Sequence, residues 1–139
     1  TVVTSIVGST ITILRGDTFN CYISGLGSLA NYVSLDFTVK ASKAQADADA
    51  LIRIRLNASG SEDGLLTLNG AAPSSASDGL IAIADTAAGN IMIVLAASCT
   101  DDLATGTYVY DVQLIEAWGV STLTSGKVTV VADVTRAVA

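Results

Sequence analysis

Apolar and polar residues alternate with a period of two along most of the chain. Phe19, Cys21 and Ile23 fall in one phase and Thr18, Asn20 and Tyr22 in the other, the pattern of a strand with one face in a core. The same alternation sets Leu35, Phe37 and Val39 against Asp36, Thr38 and Lys40, and Ile52, Ile54 and Leu56 against Arg53 and Arg55. Ile91, Ile93 and Leu95 interleave with Met92 and Val94, so this run is apolar on both faces and is expected to be covered twice, by core and by a partner. Tyr108, Tyr110, Val112 and Leu114 alternate with Val109, Asp111, Gln113 and Ile115, and Val128 and Val130 with Lys127, Thr129 and Val131. Turn signals such as Arg15-Gly16-Asp17, Ser24-Gly25-Leu26-Gly27, Ala88-Gly89-Asn90, Trp118-Gly119 and Ser125-Gly126 punctuate these runs. Short strands with regular turns predict an all-β fold of antiparallel strands, a β-sandwich or a barrel.

Helix is expected only as one or two short turns. One lies in the Ala-rich stretch 42–50, with Ser42 as a cap, and one in 97–103, with Ser98 or Thr100 as the cap. Residues 57–79 are rich in Ser, Gly, Ala and Asp, hold Pro73 and contain one apolar island around Leu65, Leu66 and Leu68. They read as a long surface loop inserted into a single domain spanning 1–139, and loops of that length usually carry function. Residues 1–9 form an N-terminal extension with strand-like Val2, Val3, Ile6 and Val7.

Composition narrows the classes of function. The 139 residues are 50% hydrophobic and 14% charged, against about 25% charged in an average domain, so the exterior is short of charge and suits a protein covered by neighbours. The net charge of −6 gives no footprint for nucleic acid. Mean hydropathy is +0.56, yet the longest apolar run, 91–97, is far short of the ~20 residues of a membrane-spanning helix. No membrane is therefore expected. Thr1-Val2-Val3-Thr4 has neither the basic nor the apolar region of a secretion signal, so export is not expected.

The chain has no histidine, which removes Ser-His-Asp and Cys-His catalysis and His-ligated metals. The acidic pairs Asp47/Asp49, Glu62/Asp63 and Asp101/Asp102 read as solvated loops rather than catalytic carboxylates or calcium ligands. No enzyme activity, cofactor or metal is expected. Cys21 and Cys99 read as reduced core residues. Trp118 reads first as an anchor packing a hairpin turn, and in the sharper version as an interface hot spot.

Gly106-Thr107-Tyr108-Val109-Tyr110 resembles the tyrosine corner of immunoglobulin-like sandwiches, with Tyr110 where antibody domains carry cysteine. A wider set of segments extends the likeness. Ile11-Thr12-Ile13-Leu14-Arg15-Gly16-Asp17-Thr18-Phe19, Leu35 to Lys40, Asp47 to Ile52, Gly106 to Leu114, Gly126 to Val130 and Asp133-Val134-Thr135-Arg136 together resemble a small immunoglobulin-like virion module of tailed bacteriophages. The chain is similar to head decoration proteins and to the N-terminal domain of baseplate upper proteins. In this resemblance Gly16 and Asp17 belong to a tight turn. It implies a virion structural protein, assembled in the host cytoplasm, first of all a capsid decoration (cement) protein. A tail or baseplate adaptor is the alternative and a carbohydrate-binding module a more distant one. The implied partners are the major capsid protein or other virion proteins, with homo-oligomerisation. The expected contact residues are Val2, Val3, Ile6, Val7, Leu65, Leu66, Leu68, Met92, Val94 and Trp118.

Overall fold

A computed structural model describes residues 10–60 and 63–132, and the backbone of residues 2–6. Among the described residues ten strands form two sheets. They are β1 (Val2–Ile6), β2 (Ile11–Leu14), β3 (Phe19–Ser24), β4 (Ser34–Lys40), β5 (Ile52–Asn57), β6 (Gly64–Leu68), β7 (Gly79–Asp85), β8 (Asn90–Leu95), β9 (Gly106–Glu116) and β10 (Gly119–Val131). One sheet has the order β1-β3-β8-β7 and the other β2-β10-β9-β4-β5-β6. Their inner faces enclose one core that includes Ile13, Cys21, Ile23, Phe37, Ile54, Ile91, Ile93, Val112 and Val128. The apolar phase of β3, β4, β5, β8, β9 and β10 lines this core, as a period of two requires when one face meets a core. The fold is an all-β immunoglobulin-like sandwich.

Two pairings depart from the expected antiparallel arrangement. β1 runs parallel to β3, and β2 runs parallel to β10. The N-terminal strands therefore divide between the sheets, β2 extending the larger and β1 edging the smaller.

The inserted loop 57–79 is corrected by the structure. Its apolar island is β6, paired antiparallel with β5. A register shift on β6 sets both Leu65 and Leu68 on the side of Ile54 and Ile52, so a run that does not alternate still delivers two leucines inward. β6 then turns at Asn69-Gly70, both with positive φ (52° and 73°), and Leu68 and Ala71 exchange backbone hydrogen bonds across the turn. Gly64 is required by close approach: its φ is +93°, and a Cβ there would collide with the carbonyl oxygen of Ala76.

Both helical turns exist, but the expected caps do not act as caps. A 3-10 turn covers Asp47–Asp49, with Ala46 at its N-cap and no side-chain cap. The helix α1 (Ala97–Thr100) starts after Ala96, also uncapped by a side chain. Thr100 instead turns its hydroxyl to the Arg15-Gly16-Asp17 turn: it donates to Asp17 O at 2.7 Å and accepts from Gly16 N at 3.1 Å.

Candidate functional site

Gly16 and Asp17 lie in the turn between β2 and β3, and Gly106, Tyr108 and Tyr110 lie along β9. Gly16 has φ +85° and Asp17 N donates to Leu14 O at 3.2 Å, closing the turn between β2 and β3. Arg15 of that turn is engaged, donating from Nη2 to Asp101 O at 3.2 Å. Gly106 opens β9 opposite Val130. The Tyr108 hydroxyl donates back to Ala104 O at 2.7 Å, which is the hydrogen bond of a tyrosine corner. Two residues on, Tyr110 is buried with its ring centroid 5.9 Å from that of Phe37, and burial pushes its phenol up. Antibody domains place a disulfide between sheets at this level, with a Trp packed on it. Here Cys21 on β3, Phe37 on β4 and Tyr110 on β9 fill the space with an unbridged thiol and two rings. Cys99 is the other buried unbridged thiol, held up in pKa by burial and by Asp78, whose Oδ2 lies 3.8 Å away.

The expected contact residues scatter over the surface. Met92 and Val94 point outward from β8, a central strand of the four-stranded sheet, where register places them in the rows Tyr22-Met92-Ala82 and Asn20-Val94-Leu80. They are half-buried by these neighbours, so no second covering is needed to explain their burial. Leu80, at the end of one row, is 44% exposed. Backbone pairing sets Val2, Thr4 and Ile6 opposite Asn20, Tyr22 and Ser24, and Val3 opposite Cys21. Val7 lies outside the described residues.

Leu65 is 1% exposed and part of the core, which removes it from the contact residues because β6 is the edge strand of the six-stranded sheet, paired with β5, rather than a loop in solvent. Leu68 also packs against the core, and Leu66 is half-buried. Trp118 does not anchor its turn: it is 72% exposed, next to Val120 at 63%. Val33, whose N–H donates to Ile115 O, exposes a further side chain at the same end of the six-stranded sheet.

The outer face of the six-stranded sheet is the charged one. Asp36 on β4 is 5% exposed and receives a bidentate pair from Arg55, Nε to Oδ1 at 2.7 Å and Nη2 to Oδ2 at 2.9 Å, with Arg53 Nη2 at 3.7 Å. Both guanidinium groups reach across from β5 to Asp36, on a strand that is buried along nearly its whole length. Further along the same face is a depression of about 470 Å³ lined by Thr38, Lys40, Lys43, Val109, Asp111, Ser125 and Lys127 among others. Lys40 reaches Asp47 at 2.6 Å, which holds the Asp47 carboxyl below its ordinary range. Burial pushes Asp111 up, against the pull of Lys40. Among the described residues no three His, Cys, Asp or Glu side chains gather as a metal site, and no helix is long and apolar enough to cross a membrane.

No protein-family model and no curated protein matches the chain. Among solved structures it is similar to the NK cell receptor NKp44, a triggering partner in natural cytotoxicity, at 15% identity and a TM-score of 0.50, covering 91% of this chain and 98% of that one. It is also similar to a structure of VGSC β subunits (15% identity, TM-score 0.43, 89% and 92% covered) and to one of PbICP-C in complex with falcipain-2 (9%, 0.37, 96% and 93%). At this identity the likeness to NKp44 defines the fold class alone, an immunoglobulin-like β-sandwich.

Proposed function

We propose that the chain is a non-enzymatic structural protein of a tailed-bacteriophage particle, and within that class a decoration protein bound in many copies to the outer shell. The observation that carries this reading is the uncharged outer face of the four-stranded sheet, where Tyr22, Met92, Val94, Leu80 and Ala82 share adjacent rungs. A face of that kind suits burial against a neighbour. The segments that resemble phage virion modules supply the biological class, and the sandwich is compatible with it. On a shell each contact can be weak, because many identical subunits bind a lattice of identical sites. The neighbours are then the major capsid protein and further copies of this chain.

Counting the chain against the major capsid protein in purified particles tests the proposal, together with adding it to shells that lack it. A copy number commensurate with the shell lattice, and rebinding to bare shells, support decoration. A few copies per particle assign it to the tail or baseplate instead. Absence from particles overturns the virion reading.

A further inference from the structure

The depression on the six-stranded sheet is built from residues that the packing role leaves unused. The chain has three lysines, Lys40, Lys43 and Lys127, and all of them line it. In a chain of net charge −6 this convergence makes one local region of opposite sign. Strand register fixes the spacing. Lys40 on β4 and Lys127 on β10 both stand opposite Val109 on β9, so their Cα atoms are two strand spacings, about 10 Å, apart. On the equivalent outward rung Thr38 and Ser125 flank Asp111. The result is an apolar floor at Val109 between two ammonium groups, with hydroxyls beside it and Lys43 from the following loop. Among the described residues Lys43 and Lys127 make no ion pair, whereas Lys40 meets Asp47 and keeps further N–H donors.

We propose that this depression binds a carboxylate-bearing ligand, held by the ammonium groups of Lys40, Lys43 and Lys127 and by the hydroxyls of Thr38 and Ser125. Its volume of about 470 Å³ is that of a small-molecule or short-peptide site. Lys40 and Lys127 stand on either side of the apolar floor at Val109, a spacing that fits separate carboxylates on one carbon frame better than a single compact phosphate. The site belongs to the sheet opposite the uncharged face, so its test does not depend on the reading of that face.

Calorimetric titration of the free chain at low ionic strength tests it, with citrate, a hexaglutamate peptide and inorganic phosphate as probes. Citrate or the peptide is expected to saturate one site per chain. The Lys43→Gln/Lys127→Gln variant should bind about tenfold more weakly or worse, because two charge-assisted contacts are lost, with its thermal midpoint unchanged. Tighter binding of hexaglutamate assigns the carboxylates to an acidic protein segment, and tighter binding of citrate to a free polycarboxylate; either supports the proposal. No saturable binding by either probe, equal affinity in the variant, or phosphate binding tighter than both would overturn it.

Discussion

Between its ends, the outer face of the four-stranded sheet carries Asn20, Tyr22, Met92, Val94, Leu80 and Ala82, while the outer face of the six-stranded sheet carries Asp36, Lys40, Arg53, Arg55, Asp111 and Lys127. Both sheets turn aliphatic side chains to the same core. The difference outside follows from how few charges there are to place. With 14% charged residues, the chain leaves one face without ions, while on the other Arg53 and Arg55 meet Asp36 and Lys40 meets Asp47. Covering the two faces therefore has different consequences. A neighbour on the four-stranded sheet strips water from amide, phenol and aliphatic groups, which costs little, whereas one on the six-stranded sheet must desolvate ions.

The largest expected effect is on the charged face. Asp36→Ala removes the carboxylate that Arg55 and Arg53 meet with side chains only 16% and 23% exposed. Removing one partner of a buried pair costs about 3 kcal/mol, which urea unfolding at neutral pH will read as a lower midpoint at constant slope. A midpoint equal to the parent's would reduce the Asp36 cluster to an ordinary surface pair. On the uncharged face the corresponding change, Leu80→Lys, should alter stability by no more than about 0.5 kcal/mol, because Leu80 is 44% exposed. Its effect should appear in association, as reduced incorporation into particles. Undiminished incorporation would remove the four-stranded face from the interface.

A control common to both sheets is the tyrosine corner. Tyr108→Phe removes only the hydroxyl that donates to Ala104 O, and one neutral hydrogen bond is worth about 1 kcal/mol. Its loss should be intermediate between the other two. If it matches Asp36→Ala, the corner rather than the ion cluster carries the stability of the larger sheet.

Alternation made β3, β4, β5, β8 and β9 legible, since each turns one apolar phase of side chains to the core. The same rule failed at β6, where the register shift at Leu66 breaks the period and turns Leu65 and Leu68 to the same side. The signal that would have found it is Asn69-Gly70, the dipeptide that favours two consecutive positive-φ residues in a tight hairpin turn. β7 was hidden for another reason: Ala82 and Ala84 on its outward phase are neither clearly polar nor clearly apolar. The tyrosine corner could be read because its residues are adjacent in sequence. The lysine depression could not, because Lys40, Lys43 and Lys127 meet only through the pairing of β4, β9 and β10.

The smallest predicted effect lies within the charged face and concerns pH. Asp111 has its carboxyl raised above the ordinary value of 3.8, first by burial, so the folded chain holds that proton more tightly than the unfolded chain does. Stability therefore falls as pH rises from the ordinary carboxylate range through the raised folded value, and the penalty is then constant toward neutrality. Asp47 acts in the opposite sense. Its carboxyl is lowered by the hydrogen bond from Lys40, so its contribution is present above 3.8 and is lost as pH falls through the lowered value. Asp111→Asn should stabilise the chain at neutral pH by a few tenths of a kcal/mol, because water screens a half-exposed carboxylate, and the gain should vanish on acidification below the ordinary carboxylate range. Thermal midpoints of parent and variant measured from pH 7 down to pH 3 will converge if Asp111 is the strained acid of this face. Parallel curves would mean that its burial costs nothing.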